Sequence, residues 1–487
     1  MKYQNEYKSG LKRGAKNLAP VRFRSEIEEL SSEILELEDQ GRTEDALQLL
    51  APYWAGIGSD PSLDGLGERE QALLLFKIGS VCSALGSAHQ VEDSQSEARS
   101  YLSQADRLFI KLRDSENASA AKNKIGVSYW RSGKLEEAEK FLERAVAGAM
   151  KLRNRTVALA NLAIVSSTKQ DHYRAYQLCG MAIEELGESE LQLRFPSGIC
   201  HMEYGLACKN IAKTLKGRQR EEYFDKAILA LDEGLYNFEQ VNNLQCVVST
   251  QNNLGYLFYS LGDYERALEY LERAYNLGHE LGEKRLIADV SDTLARCFIK
   301  TRRYPDAIRF SGEAVSLLRN FEHSLQLSEA LRNQAVAFAR NGERARALEA
   351  FEEARGVANF VNSEIYASHA DCLYLIEYFD EINPAERQKA VMVVSSSLIG
   401  SQDDEVIETL RVLYLKLQTA SRREEFSLDD ALLDYERLLI SEAVYEAEGN
   451  QTKAAKLLGI SRQRLKSRID AKHPDLDNEL QHLIRYA

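Results

Sequence analysis

The chain has 487 residues, of which 28% are charged, 44% hydrophobic and only seven proline, and it carries a net charge of −13. This length exceeds one typical domain, and the wealth of Ala, Leu, Glu, Lys and Arg favours helix throughout, because these residues lose little rotamer freedom there. The acidic balance excludes a protein that coats nucleic acid over its whole surface, but the charge is segregated: residues 449–473 hold seven cations against the single acid Asp470, a local +6 that leaves −19 for the remainder. The seven cysteines, Cys82, Cys179, Cys200, Cys208, Cys246, Cys297 and Cys372, show no metal-type spacing and read as reduced thiols of a cytosolic protein. No run approaches the roughly 18 apolar residues a membrane span needs, so no membrane partner is expected.

Residues 1–24 are basic (Lys2, Lys8, Lys12, Arg13, Lys16, Arg22 and Arg24 against Glu6), with no apolar stretch behind them and hence no secretion signal. They read as a flexible tail, or as an arm that adds affinity for DNA.

From 25 to 360 a repeat is written in small residues. Gly255 is followed twelve residues on by Ala267 and seven further by Ala274; the same spacing starts at Gly126 (Ala138, Ala145), Ala163 (Ala175, Ala182), Ala295 (Ala307, Ala314) and Ala335 (Ala347, Ala354). Tyr129, Phe258, Phe298 and Phe338 stand three residues past the small one. Small residues are needed where two helices of a hairpin cross closely, and aromatics fill the space beside them. Turns fall at Ser132-Gly133, Leu261-Gly262-Asp263 and Asn341-Gly342, and Pro305 opens a second helix. Weaker units centre on Ala46, Ala98 (with Gly79 before it) and Ala227 (with Ala212 before it and a three-residue insertion), giving about eight pairs. The pattern resembles the tetratricopeptide repeat. The alanines Ala227, Ala267, Ala307 and Ala347 recur every 40 residues, which resembles the long units of kinesin-light-chain-type arrays and of quorum-sensing regulators of Gram-positive bacteria. The resemblance implies an all-α fold in which a right-handed superhelical array presents an inner groove.

Two residues before the small residue of the first helix stand Asn161, Asn210, Asn253 and Asn333, with Thr293 and Lys124 at that place in two other units. Asparagine is a mediocre helix former, but its carboxamide both donates and accepts. In the arrays resembled, asparagines at this place hold an extended peptide, which makes these four candidates for a peptide or protein ligand. The other reading is that they bond neighbouring helices or face water.

Between 361 and 420 the repeat fades while apolar periodicity continues, broken at Asn383-Pro384, and two or three helices that cap the array are expected. The polar stretch from Ser421 to Glu425 marks a hinge over 421–428, and 429–487 forms the last domain. There an amphipathic stretch, Leu428 to Glu448, sets Leu432, Leu433, Leu439, Ala443 and Val444 at helical spacings, and Gly449-Asn450 stops it. Ala455 is small where two helices meet, Gly459 permits a turn, Ser461 caps a second helix, and Leu458, Ile460, Leu465 and Ile469 supply a shared core. What remains on that second helix is cationic or hydrogen-bonding, which suits the major groove. The string from Gly449 to Ile469 resembles the Fis-type DNA-binding domain that also ends many enhancer-binding activators. The resemblance and the geometry make Ser461, Arg462, Gln463, Lys466 and Ser467 candidates for base or groove contact, and Asn450, Thr452, Lys453, Arg464 and Arg468 candidates for phosphates. In that family the preceding helix dimerises, so a homodimer is expected. Asp470 departs from this cationic helix, and a hairpin that merely closes the array is the competing interpretation.

No phosphate-binding loop with its lysine occurs, and His279-Glu280 lacks the second histidine of a zinc protease, with Glu283 in its place. No enzyme, cofactor or metal is expected. The expectation is a cytoplasmic regulator, nucleoid-associated when bound to double-stranded DNA, whose array takes a peptide or protein that modulates DNA binding. Its rivals are a scaffold whose last helices dock a protein, and a partner that lends DNA contacts to a separate ATPase.

Overall fold

The computed structural model describes residues 24–187, 193–320, 324–398, 404–421 and, with five interior residues set aside, 436–473. The basic segment up to residue 23, most of the polar hinge, and Leu432 and Leu433 lie outside the described residues. All regular structure described is helical, with no strand among those residues. The chain divides into two compact units, Met1–Ser363 and Glu364–Ala487.

The first unit is a tetratricopeptide-like array of eight helix hairpins. In chain order they are α1 (Arg24–Asp39) with α2 (Thr43–Leu50), α3 (Glu68–Ala88) with α4 (Ser94–Lys111), α5 (Ser115–Arg131) with α6 (Leu135–Gly148), and α7 (Leu152–Thr168) with α8 (His172–Leu186). Then come α9 (Arg194–Thr214) with α10 (Gly217–Gln240), α11 (Leu244–Leu261) with α12 (Tyr264–Leu281), α13 (Lys284–Lys300) with α14 (Tyr304–Leu318), and α15 (Leu325–Arg340) with α16 (Arg344–Phe360). Each first helix packs on its own partner and on the first helix of the next pair, so the first helices form a continuous inner face.

The repeat signature is a packing rule. A Cβ added to Gly255 would lie 2.5 Å from Leu271 Cγ and 3.3 Å from the carbonyl oxygen of Ala267, so α11 and α12 touch almost backbone to backbone. The aromatic three residues further on stacks against the second helix: Phe258 on Tyr270 at 5.6 Å, Phe298 on Phe310 at 5.4 Å and Tyr129 on Phe141 at 5.4 Å between ring centroids. Gly262 ends α11 at φ +80°, and its neighbour Asp263 caps α12 by accepting from the Arg266 amide at 3.2 Å. Pro305 sits in the first turn of α14 as expected.

One unit departs from the sequence reading. In the fifth pair the close approach is made by Gly205, whose added Cβ would lie 2.8 Å from Leu231 Cγ and 3.1 Å from the Ala227 carbonyl oxygen, the same partners in the same register as at Gly255. Ala212 lies two turns further along. The helices α9 and α10 run to 21 and 24 residues, so the insertion lengthens the helices themselves. The residue two before the small one is therefore Glu203, not Asn210.

A second departure concerns α3, which is long and apolar enough to cross a membrane although no such run was expected; 72% of that stretch is buried inside the array. Its Leu74, Ile78, Val81 and Leu85 belong to the core shared with α1 and α4.

The second unit opens with α17 (Glu364–Glu377), α18 (Pro384–Leu398) and α19 (Asp404–Ser421). They enclose a core of their own around Leu375, Phe379, Val391, Leu398 and Leu413. His369 Nε2 meets Thr409 Oγ1 at 3.1 Å, and Lys416 Nζ donates to the Ile376 carbonyl at 2.8 Å. Two short helices follow, α20 (Gln451–Leu457) and α21 (Arg462–Lys472).

Glu203 is 8% exposed, and burial pushes its carboxyl up to about 7, with Lys209 opposing only in part. A raised folded-state value means that folding takes up a proton; the stabilisation is complete below the ordinary carboxylate range and is lost as pH rises through about 7. Glu203→Gln should therefore gain stability over the native protein by roughly 2 kcal/mol between pH 5 and pH 8, read from paired denaturant titrations. Parallel pH profiles would contradict this assignment.

Candidate nucleic-acid interface

The C-terminal module is built on caps and small residues. Gly449, at φ +75°, ends the preceding helix, its amide donating to the Val444 carbonyl at 2.9 Å. Asn450 then starts α20: its Oδ1 accepts from the amides of Thr452 and Lys453 at 3.0 and 3.2 Å. Gly459, at φ +63°, makes the turn, and Ser461 starts α21 by accepting from the Arg464 amide at 3.2 Å. Ala454 and Ala455 let the two helices meet, and Leu465 and Ile469 close on them with Ile440, Ala443, Val444 and Ala447. Leu458 and Ile460 pack at the edge of this core. Ile440, rather than Leu439, carries the inward face of the preceding helix; Leu439 is 36% exposed.

With the apolar residues turned inward, the cations are left outside. Arg462, Gln463, Arg464, Lys466 and Ser467 of α21 are exposed, as are Thr452 and Lys453 of α20. Gln463, Lys466, Ser467 and Asp470 line one open concavity of about 490 Å³ along α21. Their spacing of three, four and seven residues makes one helix face, with hydrogen-bonding groups aimed away from the core. Asp470 therefore shares the outward face with the groove-contact candidates, and from there a carboxylate can accept from a cytosine amino group.

The structure divides the phosphate candidates. Thr452, Lys453 and Arg464 are exposed, and Asn450 is occupied as a cap. Arg468 is turned to the module's own frame: it is ion-paired to Glu436, which also lies 3.7 Å from Nε2 of the buried His473. This contact is made across 32 residues of sequence.

On the inner face of the array, the positions two before each small residue form a row: Lys77, Lys124, Asn161, Glu203, Asn253, Thr293 and Asn333. Asn161 donates to Asn123 Oδ1 at 3.0 Å and Asn333 to Asp292 Oδ1 at 2.8 Å, so these two bond neighbouring first helices. Asn253 and the displaced Asn210 are half-buried. Between α11, α13 and α15 a cavity of about 260 Å³ is lined by Asn252, Tyr256, Asp289, Asp292, Arg296 and Glu329 among others. Burial, helped by Asp292 and Glu329, raises Asp289 to about 6.

Comparison with known proteins matches this division. Residues 432–471 match the family described as bacterial regulatory protein, Fis family, and residues 119–151 and 246–320 match tetratricopeptide repeat families. The chain thus carries tetratricopeptide repeats, a mark of protein interaction, and a Fis-family helix-turn-helix, a mark of DNA-binding regulators. No curated protein matches the sequence. Among solved structures, a signal transduction ATPase with numerous domains from Pyrococcus horikoshii, with a tetratricopeptide repeat sensor, is 14% identical with a TM-score of 0.50 over 84% of this chain and 67% of its own. A Rap protein complexed with competence and sporulation factor (12% identical, TM-score 0.48, covering 73% and 98%) and the quorum sensor NprR from B. thuringiensis (12%, 0.48, 73% and 92%) are further neighbours. At these identities the likeness concerns the fold.

Arg468→Ala should lower the local stability of residues 440–470 by about 1 kcal/mol, because Glu436 loses its guanidinium partner. Arg462→Ala and Lys466→Ala should change it by less than about 0.5 kcal/mol. Amide hydrogen exchange over this segment distinguishes the three variants.

Proposed function

We propose that this protein is a sequence-specific, non-enzymatic transcriptional regulator: the C-terminal module reads double-stranded DNA, and the array takes a peptide or protein whose binding modulates that contact. The observation that supports it is the outward face of α21, where Arg462, Gln463, Lys466 and Ser467 are exposed on a helix whose other side is held by Leu465 and Ile469. Such a helix, entered N-terminus first, lays its early side chains on base edges. The exposed Leu439 supports assembly through the helix before the module, and a two-fold dimer suits paired half-sites one helical turn apart. The free thiols, six of the seven buried, suit a cytoplasmic site of action.

The alternative, a scaffold whose terminal helices dock a protein, draws its support from Asp470, which sets a negative charge on the same face. Selection from randomised duplex DNA decides between them. Full-length protein should enrich one inverted repeat, and Arg462→Ala/Lys466→Ala should lose the enrichment. No enrichment by the native protein at moderate salt would leave the scaffold.

A further inference from the structure

The inner face of the array is not empty in this conformation: it holds part of the chain itself. The tip of the first hairpin, Glu38 to Gly41, crosses from α1 to the first helices of later pairs. Glu38 is held by Lys77 Nζ at 2.8 Å, by Lys124 Nζ at 3.0 Å and by the Ser80 hydroxyl. Arg153 Nη2 reaches both oxygens of Asp39, at 2.5 and 2.6 Å. The Asp39 carbonyl accepts from Asn243 Nδ2 at 2.8 Å, a bond that spans 204 residues and ties the first hairpin to the start of α11. Gly41, at φ +73°, turns the chain there; an added Cβ would lie 3.1 Å from Asn243 Oδ1.

Lys77 and Lys124 occupy the same register as Asn161, Asn253 and Asn333, so Glu38 sits in the row of groove positions. Lys77 is 3% exposed, and such a charge stays buried only with a partner. Three cations thus hold two carboxylates.

We propose that Lys77, Lys124 and Arg153 form a carboxylate-receiving site for an acidic peptide segment, with Glu38–Asp39 as the tethered occupant that the segment displaces. This rests on the reading that the inner face takes a polypeptide, and it names the charge of that ligand. The two adjacent carboxylates of the tip define the chemistry: a pair of neighbouring acids, one bound between two ammonium groups and the other by a guanidinium fork. Displacement frees the hairpin α1–α2 from α7 and α11, and the tether makes the competition intramolecular, so an outside peptide binds weakly until the tip is weakened.

The probe is a labelled synthetic peptide with the sequence of residues 34–42, set against a copy in which the residues matching Glu38 and Asp39 are Gln and Asn. Asp39→Asn in the full chain leaves the Glu38–Lys77 pair in place and releases Arg153. It should bind the acidic peptide roughly ten-fold more tightly than the native protein. The neutral peptide should not bind, and Arg153→Ala added to Asp39→Asn should abolish the gain. Equal affinity of native and Asp39→Asn proteins, or binding indifferent to Arg153→Ala, overturns the site. Should Asp39→Asn fail to fold, hydrogen exchange on the native protein decides: saturating peptide should expose the amides of residues 38–42, and unchanged protection there overturns the proposal. Peptide-driven exposure without any change in DNA affinity supports the site and counts against the regulatory reading alone.

Discussion

The array depends on one constraint: in seven of its eight hairpins a Gly or Ala lets the first helix come within contact of the second helix's backbone. At Gly255 and Gly205 the partner is a leucine side chain and an alanine carbonyl in the same register. Because that contact sets the rotation of the first helix about its axis, it also decides which residue points into the inner face. The row from Lys77 to Asn333 follows from it. So does the sequence of charges along that row, which begins with lysines, passes a buried glutamate and ends beside Asp289, Asp292 and Glu329. A ligand of mixed charge would therefore meet the groove in one direction only.

The same economy of small residues builds the C-terminal module. Ala454 and Ala455 bring α20 against α21, the apolar residues of both turn inward, and a strongly acidic chain is left with a local surface of exposed cations. Steering toward a polyanion then belongs to this segment, while the acidic remainder disfavours wrapping of DNA elsewhere. Arg468 ties this surface to the fold through its ion pair with Glu436.

Most of this architecture was legible because it is local. Spacings of twelve and seven residues, the aromatic three past the small residue, Pro305 and the Gly459–Ser461 turn all act within one hairpin, where sequence distance and spatial distance agree. The failures lie where they part. Insertions inside α9 and α10 shifted the fifth unit by whole turns, so counting from Ala227 led to Asn210 instead of Glu203. Of the two readings left open for Asn161 and Asn333, the bonds to neighbouring helices rest on Asn123 and Asp292, 38 and 41 residues away. Leu439 and Ile440 are adjacent and equally apolar, and only the packed core tells which is inside. The Glu38–Lys124 and Asp39–Asn243 contacts come from the curvature of the array, which no local pattern encodes.

Whether the exposed cations of the C-terminal module meet DNA shows in the salt dependence of binding. The affinity of the full-length protein for duplex DNA should be followed over a range of monovalent salt, alongside Lys453→Ala/Arg464→Ala. If these two residues neutralise phosphates, the logarithmic slope should fall by about 2, since each released counterion contributes roughly 0.9. An identical slope for the two proteins would contradict the account.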